Sequence, residues 1–230
     1  MKKLLPALLI ALGVVGLGFC IKAGFEALAQ RDRLVNVRGL AEREVKANKV
    51  TWPIVSKEVG NDLLELYNHI NSTSDIIINF LKSEGITDDE ITVNAPVVND
   101  NEGDRYAQNN YRYNVTLVIT VTSDKVDLVN ELMSKQAGLM KQGVAVCAGD
   151  YQYQPLYEFT ALNDIKPEMI AEATKKAREA GEKFAEDSGS KLGKIKSATQ
   201  GQFSINDRDP YTPYIKNVRV VTYIDYYIED

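Results

Sequence analysis

The stretch that most constrains this chain runs from Asn163-Asp164-Ile165-Lys166-Pro167 to Ser188-Gly189-Ser190-Lys191. Asn163 or Asp164 can cap a helix, Pro167 suits a first turn, and Glu168 places a carboxylate where the helix dipole favours it. Ile170, Ala173, Ala177, Ala180 and Phe184 then recur three or four residues apart. Lys175, Lys176, Arg178, Glu179, Glu182 and Lys183 fall on the other side. The spacing predicts one long amphipathic helix over 163–191, stopped at Gly189. Alanines fill little space, so such a stripe requires a partner lying very close, most simply the face of a sheet.

Strands to build that sheet are legible on both sides of the helix. Val35-Asn36-Val37-Arg38-Gly39 alternates, with Gly39 marking a bend or bulge, and Lys49 to Val55 is extended. Residues 57–84 read as a helix with Leu63, Leu66, Tyr67, Ile70, Ile77 and Leu81 inward, ended by Gly85. A strand begins at Glu90-Ile91-Thr92-Val93-Asn94. The polar stretch 99–110 is a hairpin tip, and Tyr111 to Thr122 is the clearest strand in the chain. Asp124 caps a short helix to Lys135. Tyr151 to Phe159 alternates again, as do 194–200 and 216–228, the last two joined by a polar tip at 206–213. The order strand, long helix, glycine stop, strand, polar tip, long strand therefore occurs twice, at about 46–122 and 151–229. This is an architectural repeat without a fixed residue period. An α+β fold follows, of two strand–helix–strand–strand units whose antiparallel sheets pack on long helices.

The N-terminus sets the compartment. Leu4 to Ile21 is an almost unbroken apolar run of 18 residues behind Lys2 and Lys3, long for a signal-peptide core and long enough to span a bilayer. Residues 1–29 are thus an uncleaved membrane anchor, a signal removed after Ala27-Leu28-Ala29, or, less compatibly with Phe19 directly before it, a lipid anchor on Cys20. Each places residues 34–230 outside the cytoplasm. The formal charge of −5 is unevenly shared. Residues 1–33 hold five cations against two anions, so the rest carries −8. That acidic body lacks the basic face that phosphate binding needs and argues against nucleic acid as a partner.

Catalytic signatures are absent from the sequence: no Gly-x-Ser-x-Gly, no phosphate-cradling glycine loop, no His-Glu-x-x-His and no paired cysteine spacing. No cofactor, catalytic or metal-ligating set is assigned. Cys147 is alone in the exported part, where a small buried residue is its simplest role, and His69, the one histidine, lies beside the Ile70 stripe as a half-buried residue. Asp88-Asp89-Glu90 and Glu229-Asp230 read as a solvated turn and a chain end. Asn99 to Asp104 has the look of a calcium loop but lacks the twelve-residue pattern with its closing Glu. Twelve tyrosines, all in the exported part, are the remaining signal. Strand preference accounts for most of them. Rings with a polar handle also favour interfaces, which makes Tyr106, Tyr111, Tyr113, Tyr151, Tyr153, Tyr211 and Tyr214, on or near the two tips, the candidate contact residues.

Three stretches together resemble the SIMPL-domain family of exported bacterial proteins, which includes periplasmic immunogenic and oxidative-stress-defence proteins. They are Val35-Asn36-Val37-Arg38-Gly39-Leu40-Ala41 with Val45 and 49–55; Phe80-Leu81-Lys82-Ser83-Glu84-Gly85-Ile86 with Ile91-Thr92; and the helix with Ala171, Ala173, Ala177, Ala180 and Ala185, closing in Gly189-Ser190-Lys191-Leu192-Gly193-Lys194-Ile195. The resemblance covers about 34–230 and rests on packing and turn positions. It implies an α+β domain, a cell-envelope location at the periplasmic side of the inner membrane or free in the periplasm, frequent assembly into larger homo-oligomers, an association with stress protection and no established enzymatic activity. The anchor-like N-terminus departs from the cleaved signal of the better-known members. Two other readings of the chain are a tethered small-molecule-binding module with its pocket between the sheets, and an envelope hydrolase using the acidic tips and Cys147. The identity of any other protein partner is not written in the sequence.

Overall fold

The computed structural model describes residues 4–30, 33–102, 111–147 and 151–229, and within 4–30 it describes side chains over 12–25. The first helix, α1 (Leu4–Gln30), carries the apolar run, and its described apolar side chains, from Leu12 to Phe25, are exposed. Among the described residues no helix is long and apolar enough to cross a membrane. The part of the run before Leu12 has no described side chains, so the anchor or signal reading of 1–29 falls partly outside the described residues.

The remaining elements follow in chain order: β1 (Leu34–Lys46), β2 (Lys49–Gly60), α2 (Leu63–Ser83), β3 (Ile91–Val93), β4 (Val97–Asp100), β5 (Tyr113–Ser123), α3 (Val126–Lys135), α4 (Ala137–Met140), β6 (Leu156–Glu158), α5 (Leu162–Asp187), β7 (Lys191–Gln200), β8 (Ser204–Asp207) and β9 (Ile215–Glu229). They form an α+β protein with two antiparallel sheets. The chain divides into two compact units: a terminal one of residues 1–43, 163–204 and 218–230, and a second, central in sequence, of 44–162 and 205–217.

In the central unit β2 and β5 pair antiparallel from Val50 opposite Ser123 to Gly60 opposite Tyr113. The sheet order is β3-β5-β2-β6, with β4 also on β5. Alternation sends Val50, Trp52 and Ile54 to one face with Leu117, Ile119 and Val121. On that core α2 buries Leu66, Ile70, Thr73, Ile77 and Leu81, again at helical spacing. The expected helix over 57–84 begins later, because β2 stays in register with β5 to Gly60 and Asp62 then caps Leu64 and Glu65. Leu63 and Tyr67, expected inward, are exposed. The cap expected from Asp124 is likewise replaced: the N-cap of α3 is Lys125, whose backbone nitrogen donates to Ser123 Oγ at 3.0 Å. The expected strand Tyr151–Phe159 shortens to β6, preceded by a 3-10 turn at Tyr151–Tyr153, and β6 pairs with β2.

The terminal unit has sheet order β1-β9-β7, with β8 also paired to β9. Its helix α5 buries Met169, Ala173, Ala177, Gly181 and Ala185, one residue in every four. This corrects the expected stripe: Ala173 and Ala177 belong to it, Ala180 is exposed, and Phe184 is 53% exposed. The selection is for smallness at the contact. A Cβ on Gly181 would stand 3.2 Å from Leu192 Cδ1, and one on Gly39 would run into the α5 backbone. Gly39 therefore serves close approach of β1 to α5, where the sequence suggested a bend. Pro167 lies five residues inside α5, beyond the first turn expected for it. Gly85 (φ 98°) and Gly189 (φ 68°) end α2 and α5 in the same way. In each case the next residue's nitrogen reaches back five positions, Ile86 to the Leu81 oxygen and Ser190 to that of Ala185.

Candidate functional site

A concave surface of the central unit is built on the polar tip between β8 and β9. Asp209 organises that tip as an Asx turn. Its Oδ1 accepts the backbone N–H groups of Tyr211 and Thr212, both at 2.8 Å, while Oδ2 accepts Arg208 Nε at 3.0 Å and the Thr212 hydroxyl. Hydrogen bonds from Thr212 and Arg208 chiefly hold its carboxyl down at about 2. Arg208 spends its other nitrogens on Thr212 Oγ1 (2.9 Å) and Glu44 (3.4 Å). Its pairing with Asp209 pushes the guanidinium further up from its ordinary value, so it stays protonated. Behind the tip Lys216, with 8% of its side chain exposed, pairs with Asp207. The base of the tip is tied by Arg208 N–H to the Ile215 carbonyl and by Ala47 N–H to the Tyr214 carbonyl.

Opposite the tip stand β6 and α3. Tyr157 is buried, and its hydroxyl donates to Asn130 Oδ1. Burial, with Tyr214 beside it, pushes the phenol up from its ordinary value. Its ring meets Tyr214 edge-on, centroids 6.2 Å apart and planes at 64°. Between these walls lies an open cleft of about 870 Å³, lined also by Gln154, Pro155, Pro210, Tyr211 and Pro213. That size is typical of a small-molecule site.

The cleft gathers Tyr211 and Tyr214 from the candidate contact residues. Tyr151 and Tyr153 occupy the 3-10 turn just before Gln154 and do not line it. Tyr111 lines a different depression of about 480 Å³ with Glu58, Glu65 and His69, and His69 is exposed there, where the sequence suggested half-burial. Tyr113 is half-buried under the Arg112 guanidinium, 4.9 Å from its ring centroid. Tyr106 and the tip around it lie outside the described residues. The polar tip at 206–213, with Tyr211 and Tyr214, is the sequence signal that points to this place; Asn130 and Gln154, and Tyr157 as a wall of the cleft, are not singled out by the sequence.

The other sequence candidates have structural partners. Asp100, in the calcium-like stretch, holds Arg112 through both carboxylate oxygens (2.9 to 3.3 Å). Glu90 accepts from Thr87, Ser123 and Lys125, and Asp88 pairs with Lys82 at 2.6 Å. Among the described residues no three His, Cys, Asp or Glu side chains group closely enough for a metal ion. Cys147 is half-buried, and its backbone nitrogen donates to the Val55 carbonyl at 2.8 Å.

Sheet, long helix and glycine-ended helix turn, present in both units, define an α+β protein of sheet-and-helix modules with a cleft at one hairpin tip. The family model described as SIMPL, protein of unknown function (DUF541), matches residues 35–220, and the chain belongs to that family. Comparison with curated proteins gives no match.

Proposed function

We propose that this is a non-enzymatic, exported cell-envelope protein that acts by binding through the cleft of its central unit. One observation carries the reading. The charged groups of the cleft, Asp207, Arg208 and Asp209, are already paired within the protein, with Lys216, Glu44 and each other. The tyrosine rings and side-chain amides remain for contact. Charges so engaged suit a scaffold better than a proton-transfer or nucleophilic role, which needs an available base. The apolar run from Leu4 to Ile21, with its described side chains exposed, supports a tether to the membrane on the periplasmic side. A fragment screen by NMR on the full chain in detergent tests the binding role. Shifts gathered on Tyr211, Tyr214 and Gln154 are the expected result, and shifts that avoid the cleft overturn it.

A second reading, self-assembly, has its own support. The outer edge strand β7 is exposed along nearly its whole length, with Ile195 52% exposed, and an open strand edge is a template for pairing with another copy. Light scattering of the full chain across protein concentrations tests it, and a monomer throughout sinks it. A role in stress protection rests on family resemblance alone. Survival of a deletion strain under peroxide is its test.

A further inference from the structure

We propose that the cleft of the central unit takes a neutral, polyhydroxylated ligand, a short uncharged glycan. The inference rests on the binding role just given and names the class of ligand. Charge excludes the ionic alternatives first. Lys216 is spent on Asp207, and Arg208 on Asp209 and Glu44, so an anionic or cationic ligand must break a bond the tip depends on.

The polar groups left over point the same way. With Asn130 Oδ1 occupied by Tyr157, its amide nitrogen remains a donor. The Gln154 amide and the hydroxyls of Tyr211 and Tyr214 both donate and accept. A ligand whose every hydroxyl does the same matches that set without a fixed charge. Tyr211 supplies the apolar half of recognition. It is 92% exposed, yet its backbone is fixed by Asp209 and it stands next to Pro210, so a rigid turn presents a whole ring face to solvent. The negative face of that ring attracts the weakly positive C–H groups on the flat side of a sugar. Proline-rich peptide, the other ligand that favours tyrosines, docks in a groove walled by aromatic faces. Here Tyr157 and Tyr214 meet edge-on, and such a groove is not formed. The cleft is open at its mouth, which suits part of an extended chain.

Calorimetry and NMR on the full chain, in a detergent without a sugar headgroup, test this with cellotetraose, maltotetraose and chitotetraose as probes. A sulfated tetrasaccharide and decaproline serve as comparators. The expected result is binding of at least one neutral tetrasaccharide, unchanged between about 50 and about 500 mM salt. Tyr211→Ala and Gln154→Ala should each weaken it roughly tenfold with unaltered melting temperature, since both side chains are exposed. Failure of all three neutral probes up to about 10 mM, or binding that survives Tyr211→Ala, overturns the proposal. If decaproline or the sulfated sugar alone shifts the cleft resonances, the glycan assignment falls and the binding role stands. If no probe moves them and the fragment screen is also empty at the cleft, both fall.

Discussion

A Cβ atom on Gly39 would stand 1.8 Å from the carbonyl oxygen of Ala173 and 2.4 Å from the amide nitrogen of Ala177. No side-chain rearrangement relieves such a contact, because both partners are backbone. The strand β1 and the helix α5 meet main chain to main chain, and Ala177 packs beside this contact with Val35, Val37, Ile224 and Tyr226.

We predict that Gly39→Ala forces β1 and α5 apart and destabilises the protein by about 3 kcal/mol. Gly138→Ala is the control. A Cβ there meets nothing within 4 Å and the residue is helical, so the change should be neutral or stabilise by up to about 1 kcal/mol. Urea denaturation followed by circular dichroism separates the two. Equal midpoints for both variants would refute the close-approach account.

Glu90 contributes to the acid response of the central unit. Burial pushes its carboxyl up, but hydrogen bonds from Lys125, Ser123 and Thr87 outweigh that and hold it at about 2, against 4.5 in the unfolded chain. The folded value is depressed, so this contribution is complete above pH 4.5 and drains away as pH falls toward 2. Glu90→Gln should cost about 2 kcal/mol near neutral pH and flatten the loss of stability across that acid window. The single tryptophan, Trp52, is buried in this core and reports the transition. A variant with the wild-type acid slope would show that other carboxylates set it.

Tyr157 separates packing from polar recognition. Tyr157→Phe keeps the buried ring and its edge-on contact with Tyr214 but strips the Asn130 oxygen of its donor. We predict a loss of about 1 kcal/mol, whereas Tyr157→Ala should cost about 3–5 kcal/mol. Thermal unfolding distinguishes them. Equal losses would mean that the hydroxyl, rather than the ring, anchors β6 to α3.

Much of the architecture is legible in the sequence. Gly85 and Gly189 end their helices as the punctuation indicates, and the alternation from Tyr113 to Val121 is a strand. Other features needed the fold. On α5 alanines occupy several faces, so Ala180 and Phe184 looked as inward as Ala173, and Gly181 was invisible to a search for apolar periodicity. What the sheet selects is lack of bulk, which a hydrophobicity pattern does not encode. The helix expected from residue 57 starts later because residues 57–60 carry no decisive apolar period, and only cross-strand pairing with β5 keeps them in β2. The cleft was the least legible. Asn130, Tyr157 and Tyr214 are far apart in sequence, and nothing local to any of them records that they meet.

The Asp209 carboxylate shapes the tip that presents Tyr211. Hydrogen bonds from the Thr212 and Arg208 side chains hold it at about 2, below the ordinary 3.8. The ordering it provides is therefore present above pH 3.8 and lost as pH falls toward 2. Asp209→Asn retains an oxygen for the Tyr211 and Thr212 amides but gives up the charge facing Arg208. Asp209→Ala gives up both. Hydrogen exchange at those two amides should accelerate in the order wild type, Asn, Ala, with little change in melting temperature because the carboxylate lies at the surface. Ligand affinity should fall in the same order, since the Tyr211 ring is positioned by its backbone and has almost no packing of its own. If exchange accelerates while affinity holds, the exposed ring contributes through its bulk alone and the rigidity of the tip is irrelevant to binding.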